Sequence, residues 1–572
     1  MKKIIIYIPA LLILIFISCK KDYLDKAPGV DVSEDLIFSS KTEVEKAIAG
    51  LYLEGAPSTL GIHTQIAGTR NARFGTKGAS DEAELGASWA DEQNWNVGGL
   101  NQDYLLGTDY RYNQRWQAIR RANILLERID EVPDVDQTYK NQVKGEAKFM
   151  RAISYFEMLK RYGGVPIVDK RLTSADVLSS PITRNTIEEV VNFIVKDCDE
   201  AAAWLPDTYP TEMKGRAVKG AALMVKAKTL LLAASPLFNT VTPYLDLGEH
   251  NKLICLGNYD AGRWATAAVA AKAVLDWAPV GGVALITDKG VDKNYRYVWE
   301  THDNAELIFV NKAAGSRSRS QYPWLGILPS GIYSGYGGTS PTHNFVKMYE
   351  KKDGTSQTWN EAGGNDLNKK YAELDHRFAQ TVMYNGSYLN PQHPVIQTFE
   401  GGAHAADCKG GSWQRKFVPE ALRTNVTAIP NNIVYRLADA YLMYAEALNE
   451  TSGPTPEAYA AINAIRARSG MPDLPSSLSK DQFRQRVRNE RAIELAFEEN
   501  RLWDIMRWMI AEEDGVMKGE MWGIKIYRIT GSSEFRYEPY VFETRSFPRR
   551  MYLHPFLRAE VIKGYLVQNP GY

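Results

Sequence analysis

Five tryptophans lie in polar, glycine-bearing stretches, and their side chains have the chemistry best suited to binding. They are Trp89, Trp95, Trp324, Trp359 and Trp413. A saccharide presents apolar C–H faces beside its hydroxyl groups, so flat aromatic rings with a few fixed polar groups hold it without net charge. A large ring in a loop must pack into a core, against a ligand or against a partner. These positions are therefore candidate sugar platforms, with core packing as the alternative at each.

Two clusters of the sequence place aromatic rings beside amide or carboxylate groups. The first cluster consists of Trp89, Asp91, Asn94, Trp95 and Asn96. The second cluster consists of Tyr322, Trp324, Tyr333 and Tyr336. We expect the two clusters to converge as the two halves of one cleft. The predicted ligand contacts, with one further tryptophan, are Trp89, Asn94, Trp95, Tyr322, Trp324, Tyr333, Tyr336 and Trp359.

A helical stripe of carboxylates offers a different chemistry. Glu490, Glu494 and Glu498 are spaced by four residues and resemble the paired acids of a glycosidase. A glycosidase needs its two carboxyl groups across a cleft, about 5–10 Å apart, and neighbours on one helix cannot flank a glycosidic bond. Arginines at 501 and 507 follow Glu498 and Asp504 by three residues, the spacing of structural ion pairs. We interpret the stripe as structural.

The sequence predicts no metal site and no cofactor. The eight histidines show no zinc-binding spacing. Asp353 and Asp366 offer oxygens to calcium, but the EF-hand loop pattern is absent. A nucleophile elbow, a P-loop and a dinucleotide fingerprint are absent as well.

Charge and cysteine content narrow the function classes further. Basic and acidic residues number 68 each, so no global field attracts nucleic acid, and a neutral ligand fits better. Beyond Cys19 only three widely spaced cysteines remain, which gives no disulfide framework. Cys198 continues a buried helical stripe and is predicted to be an inert core thiol.

The N-terminus has the pattern of an export signal. Two lysines precede residues 4–17, which carry no charge, and Ser18 then leads into Cys19. The apolar run is shorter than the roughly 20 residues that span a bilayer. The arrangement resembles a lipobox, which implies acylation of Cys19, removal of residues 1–18 and a lipid anchor. Residues 19–40 are then a tether; an ordinary secreted protein is the alternative.

Helical periodicity dominates both ends of the chain and is lost in the middle. Residues 41–277 and 431–572 are predicted to form the two helical parts of one superhelix, flanking a loop-rich, ligand-facing insertion at 278–430. Helix pairs without a clean 34-residue repeat indicate a mainly α, degenerate tetratricopeptide-like superhelix. A short strand is predicted at 307–310. The predicted helices include 143–162, 217–234, 263–277, 433–449, 456–468 and 480–511.

Four stretches carry a family resemblance. They are GEAKFMRAISYFEMLKRYGGVPIV at 145–168, YRLADAYLMYAEALNE at 435–450, AYAAINAIRARSGMPDLP at 458–475 and NERAIELAFEENRLWDIMRW at 489–508. All four look like the signature blocks of the RagB/SusD family of outer-membrane lipoproteins, and the closing residues resemble its C-terminus. The family usually has glycine where this chain has Glu499. Either the helix therefore continues through Glu499 or the chain makes a less usual corner there.

The resemblance implies a binding protein and not an enzyme. Family members bind glycan fragments at the cell surface and form a lid over a SusC-like, TonB-dependent transporter barrel. The resemblance also implies a lipid-anchored protein on the outer face of the outer membrane. Some relatives deliver peptides, so a peptide-capturing lid is the second hypothesis. A surface glycoside hydrolase is the third.

Overall fold

The computed structural model describes residues 34–58, 63–66, 69–72, 76–88, 90, 93–103, 109, 111–173, 175–176, 182–312, 326–333, 335, 337–424, 426 and 428–572. The predicted signal at 1–18, the acylation site Cys19 and most of the tether lie outside these residues. Within them, no helix is long and apolar enough to cross a membrane.

The helices of the described residues occupy both ends of the chain, with short ones between. They are α1 (Glu34–Ile37), α2 (Lys41–Gly55), α3 (Gln93–Asn96), α4 (Tyr112–Arg128), α5 (Gln137–Tyr162), α6 (Ile187–Trp204), α7 (Lys219–Ala234), α8 (Gly262–Trp277), α9 (Asn294–Glu300), α10 (His343–Val346), α11 (Leu367–Glu373), α12 (His376–Thr381), α13 (Leu437–Ser452), α14 (Pro456–Arg468), α15 (Lys480–Glu494), α16 (Arg501–Trp508) and α17 (Arg558–Val561).

The long helices begin at side chains that cap them. Thr186 and Glu189 form a capping box at the start of α6, and Ser479 and Gln482 form another at the start of α15. Thr455 caps α14, whose first residue is proline. Cys198 on α6 is 1% exposed and burial raises the pKa of its thiol, which confirms the predicted core position.

The long helices form one continuous stack. Helices α2, α4, α5, α6, α7, α8 and α13 pack in that order, each against the next, and α14 and α15 pack against α13. Neighbours in sequence are thus neighbours in space, as in helix-pair superhelices. The exception is the step from α8 to α13, which spans residues 278–436. The mainly α, tetratricopeptide-like prediction is confirmed. Residues 278–436, the irregular segment, leave the stack after α8 and rejoin it at α13.

Strands occur only as two-stranded antiparallel pairs among the described residues. The pairs are β1 (His63–Ile66) with β2 (Thr69–Ala72), β3 (Ala83–Leu85) with β5 (Thr339–Pro341), β4 (Leu307–Val310) with β8 (Ile433–Arg436), β6 (Val382–Met383) with β7 (Trp413–Gln414), and β9 (Gly519–Arg528) with β10 (Phe535–Arg545).

The irregular segment has a hydrophobic core of its own. Phe345, Tyr349, Phe378 and Trp413 are among the residues of this core. Ile524 of β9 packs into the same core, so the C-terminal hairpin covers the segment. Trp413, a candidate platform in the sequence, is fully buried here and donates its indole N–H to the carbonyl of His404 at 2.8 Å.

Three helix predictions need correction or refinement. Residues 433–436 form β8 and not the start of a helix, because they pair with the predicted strand at 307–310, which is confirmed as β4. The predicted helix 480–511 is interrupted between Glu494 and Arg501. The hairpin β9–β10 lies within a part predicted as helical. Ile524 and Ile526 are buried on either side of the exposed Lys525, the alternation of a strand.

Candidate functional site

The pairing of β3 with β5 brings the two segments that carry the aromatic clusters together. Glu84 lies opposite Ser340 in the ladder, and the N–H of Gly86 donates to the carbonyl of Gly338 at 2.9 Å. The first cluster follows β3 in the chain, and the second precedes β5. A Cβ on Gly86 would lie 1.9 Å from the carbonyl oxygen of Gly337, so only glycine allows this approach.

A buried carboxylate organises the chain beneath this junction. Glu84 accepts hydrogen bonds from Gln93 and Asn96 of α3, at 2.7 and 3.1 Å. Its oxygens also contact Arg545 of β10 at 2.7 Å and Lys409 at 3.1 Å. Burial opposes ionisation of Glu84, but the two cations outweigh it and hold its pKa below the ordinary value. Glu84 therefore fixes α3, which carries part of the first cluster, to β10 and to the loop at 409.

Trp95 serves packing and not ligand contact. Its side chain is 3% exposed and packs edge-on against His554, with ring centroids 5.2 Å apart. The single turn of α3 directs Trp95 and Asn96 inwards, and Asn94 stays half-buried at the surface. The prediction that Trp95 stacks on a ligand is therefore wrong. A turn of helix is too short to leave a periodicity signal in the sequence.

Tyr333 lies at a polar junction of three loops. Its phenol donates towards Gln392 Oε1 at 3.0 Å and Leu422 O at 3.2 Å, and it accepts from Asn390 at 2.9 Å. Its ring meets His393 edge-on at 5.1 Å. The backbone of Tyr333 is left-handed, with φ 51°, which costs about 1–3 kcal/mol in a residue other than glycine. The half-buried ring is thus held in a fixed orientation.

Trp359 belongs to a separate aromatic group. Its ring packs edge-on against His343 at 4.6 Å and Tyr537 at 4.9 Å, and Lys370 Nζ lies 5.3 Å from its centroid. The indole N–H donates to Gln357 at 2.5 Å. The side chain is half-buried. Among the described residues, no contact joins it to the Tyr333 junction, so its role as a ligand contact stays a prediction.

Four other predicted contacts lie outside the described residues. They are Trp89, Tyr322, Trp324 and Tyr336. Their neighbours in the chain are described at Ala90, at Gly335 and from Gly337 onwards. The junction of β3 with β5 therefore carries the argument that the two clusters converge, and the individual rings stay predictions.

The carboxylate stripe is confirmed as structural. Glu490 contacts Arg377 at 2.5 Å and Arg466 at 3.1 Å. Glu494 and Glu498 contact Arg436 at 2.6 and 2.8 Å. The three carboxylates are at most 5% exposed. Arginines enclose Glu490 and Glu494, and Arg436 with Lys416 encloses Glu498, so these ion pairs tie the stripe to the irregular segment, β8 and α14.

The chain makes a corner at Glu499. The residue has φ 60°, the left-handed conformation that a glycine would adopt without strain. Both the N–H and the hydroxyl of Thr76 donate to Glu499 Oε2, at 2.7 Å each. The carboxylate thus links the corner between α15 and α16 to the segment that leads into β3. Of the two alternatives that the sequence left open, the unusual corner is the observed one.

No metal site is evident in the part of the chain that the structure describes. No three His, Cys, Asp or Glu side chains in this part are grouped to hold an ion. Asp353, considered above as a calcium ligand, accepts hydrogen bonds from the N–H and hydroxyl of Thr355 at 2.9 and 2.6 Å.

Glu82, a buried acid directly before β3, makes the free energy of unfolding depend on pH. Glu82 is 1% exposed, and burial raises its pKa to about 8. The N–H of Phe497 donates to its carboxyl at 2.9 Å. Asp81 and Glu499 raise the pKa further, and Arg501 opposes them. Glu82 is therefore protonated in the folded protein at neutral pH.

We expect Glu82→Gln to flatten the pH profile of stability. Since the folded-state pKa is raised, the contribution of Glu82 is fully present below its ordinary pKa near 4.5 and is lost as pH rises through about 8. In this window the free energy of unfolding should fall by up to about 1.4 kcal/mol per pH unit in the wild type, and less in the variant. Urea unfolding at pH 6, 7 and 8 measures the difference. Parallel profiles would contradict it.

Comparison with known proteins matches nearly the whole chain. The sequence model described as the SusD family matches residues 305–572, and the one described as starch-binding associating with outer membrane matches residues 22–231. A SusD-like protein of Formosa agariphila is 22% identical over 538 residues, covering 89% of this chain and 90% of its own.

Solved structures share the fold. A SusD-like protein of Bacteroides fragilis superposes with a TM-score of 0.77 at 26% identity, covering 96% of this chain and all of the other. A structure described as a laminarin-binding SusD-like protein has a TM-score of 0.62 at 20% identity and covers 94% of this chain and all of its own. The similarity thus includes both the helical stack and the irregular segment.

Proposed function

Because the chain belongs to the SusD/RagB family, we propose that it captures oligosaccharides at the cell surface and delivers them to a SusC-like, TonB-dependent transporter in the outer membrane. The protein is held there by a lipid on Cys19. The relatives support a glycan as ligand, since one matching family is described as starch-binding and one structural neighbour as laminarin-binding. The description of that family as associating with the outer membrane supports the location.

The observation that carries the proposal is the junction of β3 with β5. The first cluster and the second are more than 200 residues apart along the chain. The ladder nevertheless places the backbone of Gly86 against Gly337, and these two glycines are within a few residues of Trp89 and Tyr336 in the sequence. Rings on these two segments can therefore share one ligand. Tyr333, whose phenol accepts from the buried Asn390 at 2.9 Å, adds a half-buried ring of fixed orientation in the second segment.

The protein binds its ligand without cleaving it. The acids that resemble a glycosidase pair, Glu490 and Glu494, are enclosed by Arg377, Arg436, Arg466 and Arg468. A general acid must reach the glycosidic oxygen, and a carboxylate held by several arginines in the interior does not. We therefore assign these groups to the scaffold.

Calorimetric titration of the mature protein with laminarin and starch oligosaccharides tests the proposal. We expect Trp89→Ala and Trp324→Ala each to weaken binding about tenfold or more, because a stacked ring at the centre of a site contributes about 1.4 kcal/mol or more. Tyr259, which is 64% exposed and lies in the loop before α8, provides the control. Tyr259→Ala should leave the affinity unchanged.

Three outcomes would contradict the proposal. One is the absence of glycan binding while peptides bind, which would favour the peptide-capturing lid. Another is unchanged glycan affinity in both tryptophan variants, which would move the site away from the junction. The third is release of shorter sugars from laminarin, which would indicate a hydrolase.

A further inference from the structure

A cleft apart from the aromatic clusters lies beside α15. It has a volume of about 380 Å³, which is within the range of about 300–1,000 Å³ typical of ligand sites. Its walls come from α15, from the segment after α10 and from the segment after α16. Lys347, Ser356, Gln485 and Arg488 are among the lining residues, and none of the predicted glycan contacts is.

Arg488 is unlike the other arginines of its helix. Arg484 contacts Glu450 at 2.6 Å, Arg486 contacts Glu350 at 2.5 Å, and Arg491 contacts Asp439 at 3.0 Å. Arg488 has no carboxylate partner among the described residues, and its buried Nε donates no hydrogen bond there. Its guanidinium lies over the ring of Trp508, 4.8 Å from the centroid.

A half-buried guanidinium without a carboxylate in direct contact is energetically costly. Burial lowers the pKa of Arg488 below its ordinary value, as expected for a cation withdrawn from water, although Glu446 and Glu450 oppose the shift. Stacking on Trp508 offsets part of this cost and fixes the plane of the guanidinium. The planar edge of a stacked guanidinium matches the two oxygens of a carboxylate or a sulfate, and the Nε–H on that edge has no acceptor among the described residues. The side chain is thus arranged to accept an anion.

The rest of the cleft adds positive charge and hydrogen-bonding groups. Four basic and two acidic side chains line it. Arg486 and Arg501 are paired with Glu350 and Asp81, so Arg488 and the exposed Lys347 carry the charge that an anion would meet. Glu513, exposed, is the opposing acid. The hydroxyl of Ser356 and the amide of Gln485 lie among the same lining residues.

We propose that this cleft is a second ligand site, which binds an acidic saccharide through its carboxylate or sulfate group. The anionic group pairs with Arg488 and Lys347, and hydroxyl groups of the sugar bond to Ser356 and Gln485. The site extends the ligand range beyond the neutral glycans that the balanced net charge suggests. It is independent of the aromatic clusters, so it stands even if these do not bind glycan.

Calorimetric titration of the mature protein with sodium glucuronate, D-glucose and sodium sulfate at constant ionic strength tests the proposal. We expect glucuronate to bind and glucose not to bind at this site. Arg488→Gln should weaken glucuronate binding about tenfold, in the range found for charge-assisted hydrogen bonds. Lys347→Gln, a surface change that leaves folding intact, should weaken it less. Arg120→Gln, which changes an exposed arginine on α4, should have no effect.

The outcomes separate the alternatives. Glucuronate binding that falls in both cleft variants supports the proposal. Equal glucuronate affinity in wild type and both variants, or no binding at all, overturns it. Binding of sulfate without glucuronate identifies a free oxyanion as the occupant and overturns the assignment to a saccharide. Loss of laminarin binding in the tryptophan variants, with glucuronate binding intact, shows that the two sites are separate.

Discussion

Replacing Glu494 by glutamine is expected to lower the free energy of unfolding by about 3–5 kcal/mol, the range for breaking a buried ion pair. Glu494 is fully buried and contacts Arg377 at 3.0 Å, Arg436 at 2.6 Å and Arg468. Although burial opposes ionisation, the three arginines hold the pKa of Glu494 well below its ordinary value. Removing the charge breaks three buried ion pairs at once, and Arg468 then keeps Glu306 as its one carboxylate contact among the described residues.

Urea unfolding at pH 7, followed by circular dichroism, measures this effect. Asp276→Asn provides the control, because Asp276 pairs with Lys272 on the exposed face of α8 and surface pairs contribute little. The control should unfold like the wild type. If Glu494→Gln also unfolded like the wild type, the ion pairs of Glu494 would not be what holds α15 to the irregular segment.

Replacing Gly86 by alanine is expected to weaken both stability and glycan binding. The new Cβ would lie 1.9 Å from the carbonyl oxygen of Gly337, and backbone on both sides leaves no flexible atom to move. Overpacking of this kind costs about 1–3 kcal/mol. Since the clash separates the segments that carry the two aromatic clusters, we expect laminarin affinity to fall at least about tenfold, beyond the loss of stability.

Gly50→Ala on α2 is the matched control for this substitution. The same methyl group would there lie 3.4 Å from the end of the Arg121 side chain, which is ordinary contact. Alanine in a helix interior is more stable than glycine by about 0.5–1 kcal/mol. The control should therefore be at least as stable as the wild type and should bind glycan normally. Normal glycan affinity in Gly86→Ala would show that the junction does not shape the site.

Local sequence signals predicted the elements that depend on local interactions. The predicted helix 456–468 coincides with α14, which follows the cap Thr455 and begins at Pro456, and the predicted stripe that includes Cys198 lies on α6. Side chains three and four apart share a helix face, and caps satisfy the terminal N–H groups, so both leave a readable pattern. The ion-pair spacing is confirmed for Asp504 and Arg507, which are 2.9 Å apart, but not for Glu498 and Arg501, whose partners are Arg436 and Asp81.

The errors arise where a distant segment decides the local structure. Residues 433–436 become a strand because β4, more than 100 residues earlier, pairs with them. The corner at Glu499 is held by Thr76, 423 positions away in the chain. Trp95 is buried against His554, a residue close to the C-terminal end of the chain. No window of neighbouring residues contains these partners, so pattern and propensity could not reveal them.

The sequence by itself determined the helical stack and the family resemblance, because periodicity, caps and signature blocks are properties of contiguous residues. Only the tertiary structure decided which rings are exposed and which segments meet. The pairing of β3 with β5, the burial of Trp95 and the unpaired state of Arg488 within the described chain each depend on residues far apart in sequence. Their positions follow from packing the whole chain at once, where burial and pairing outweigh local preference.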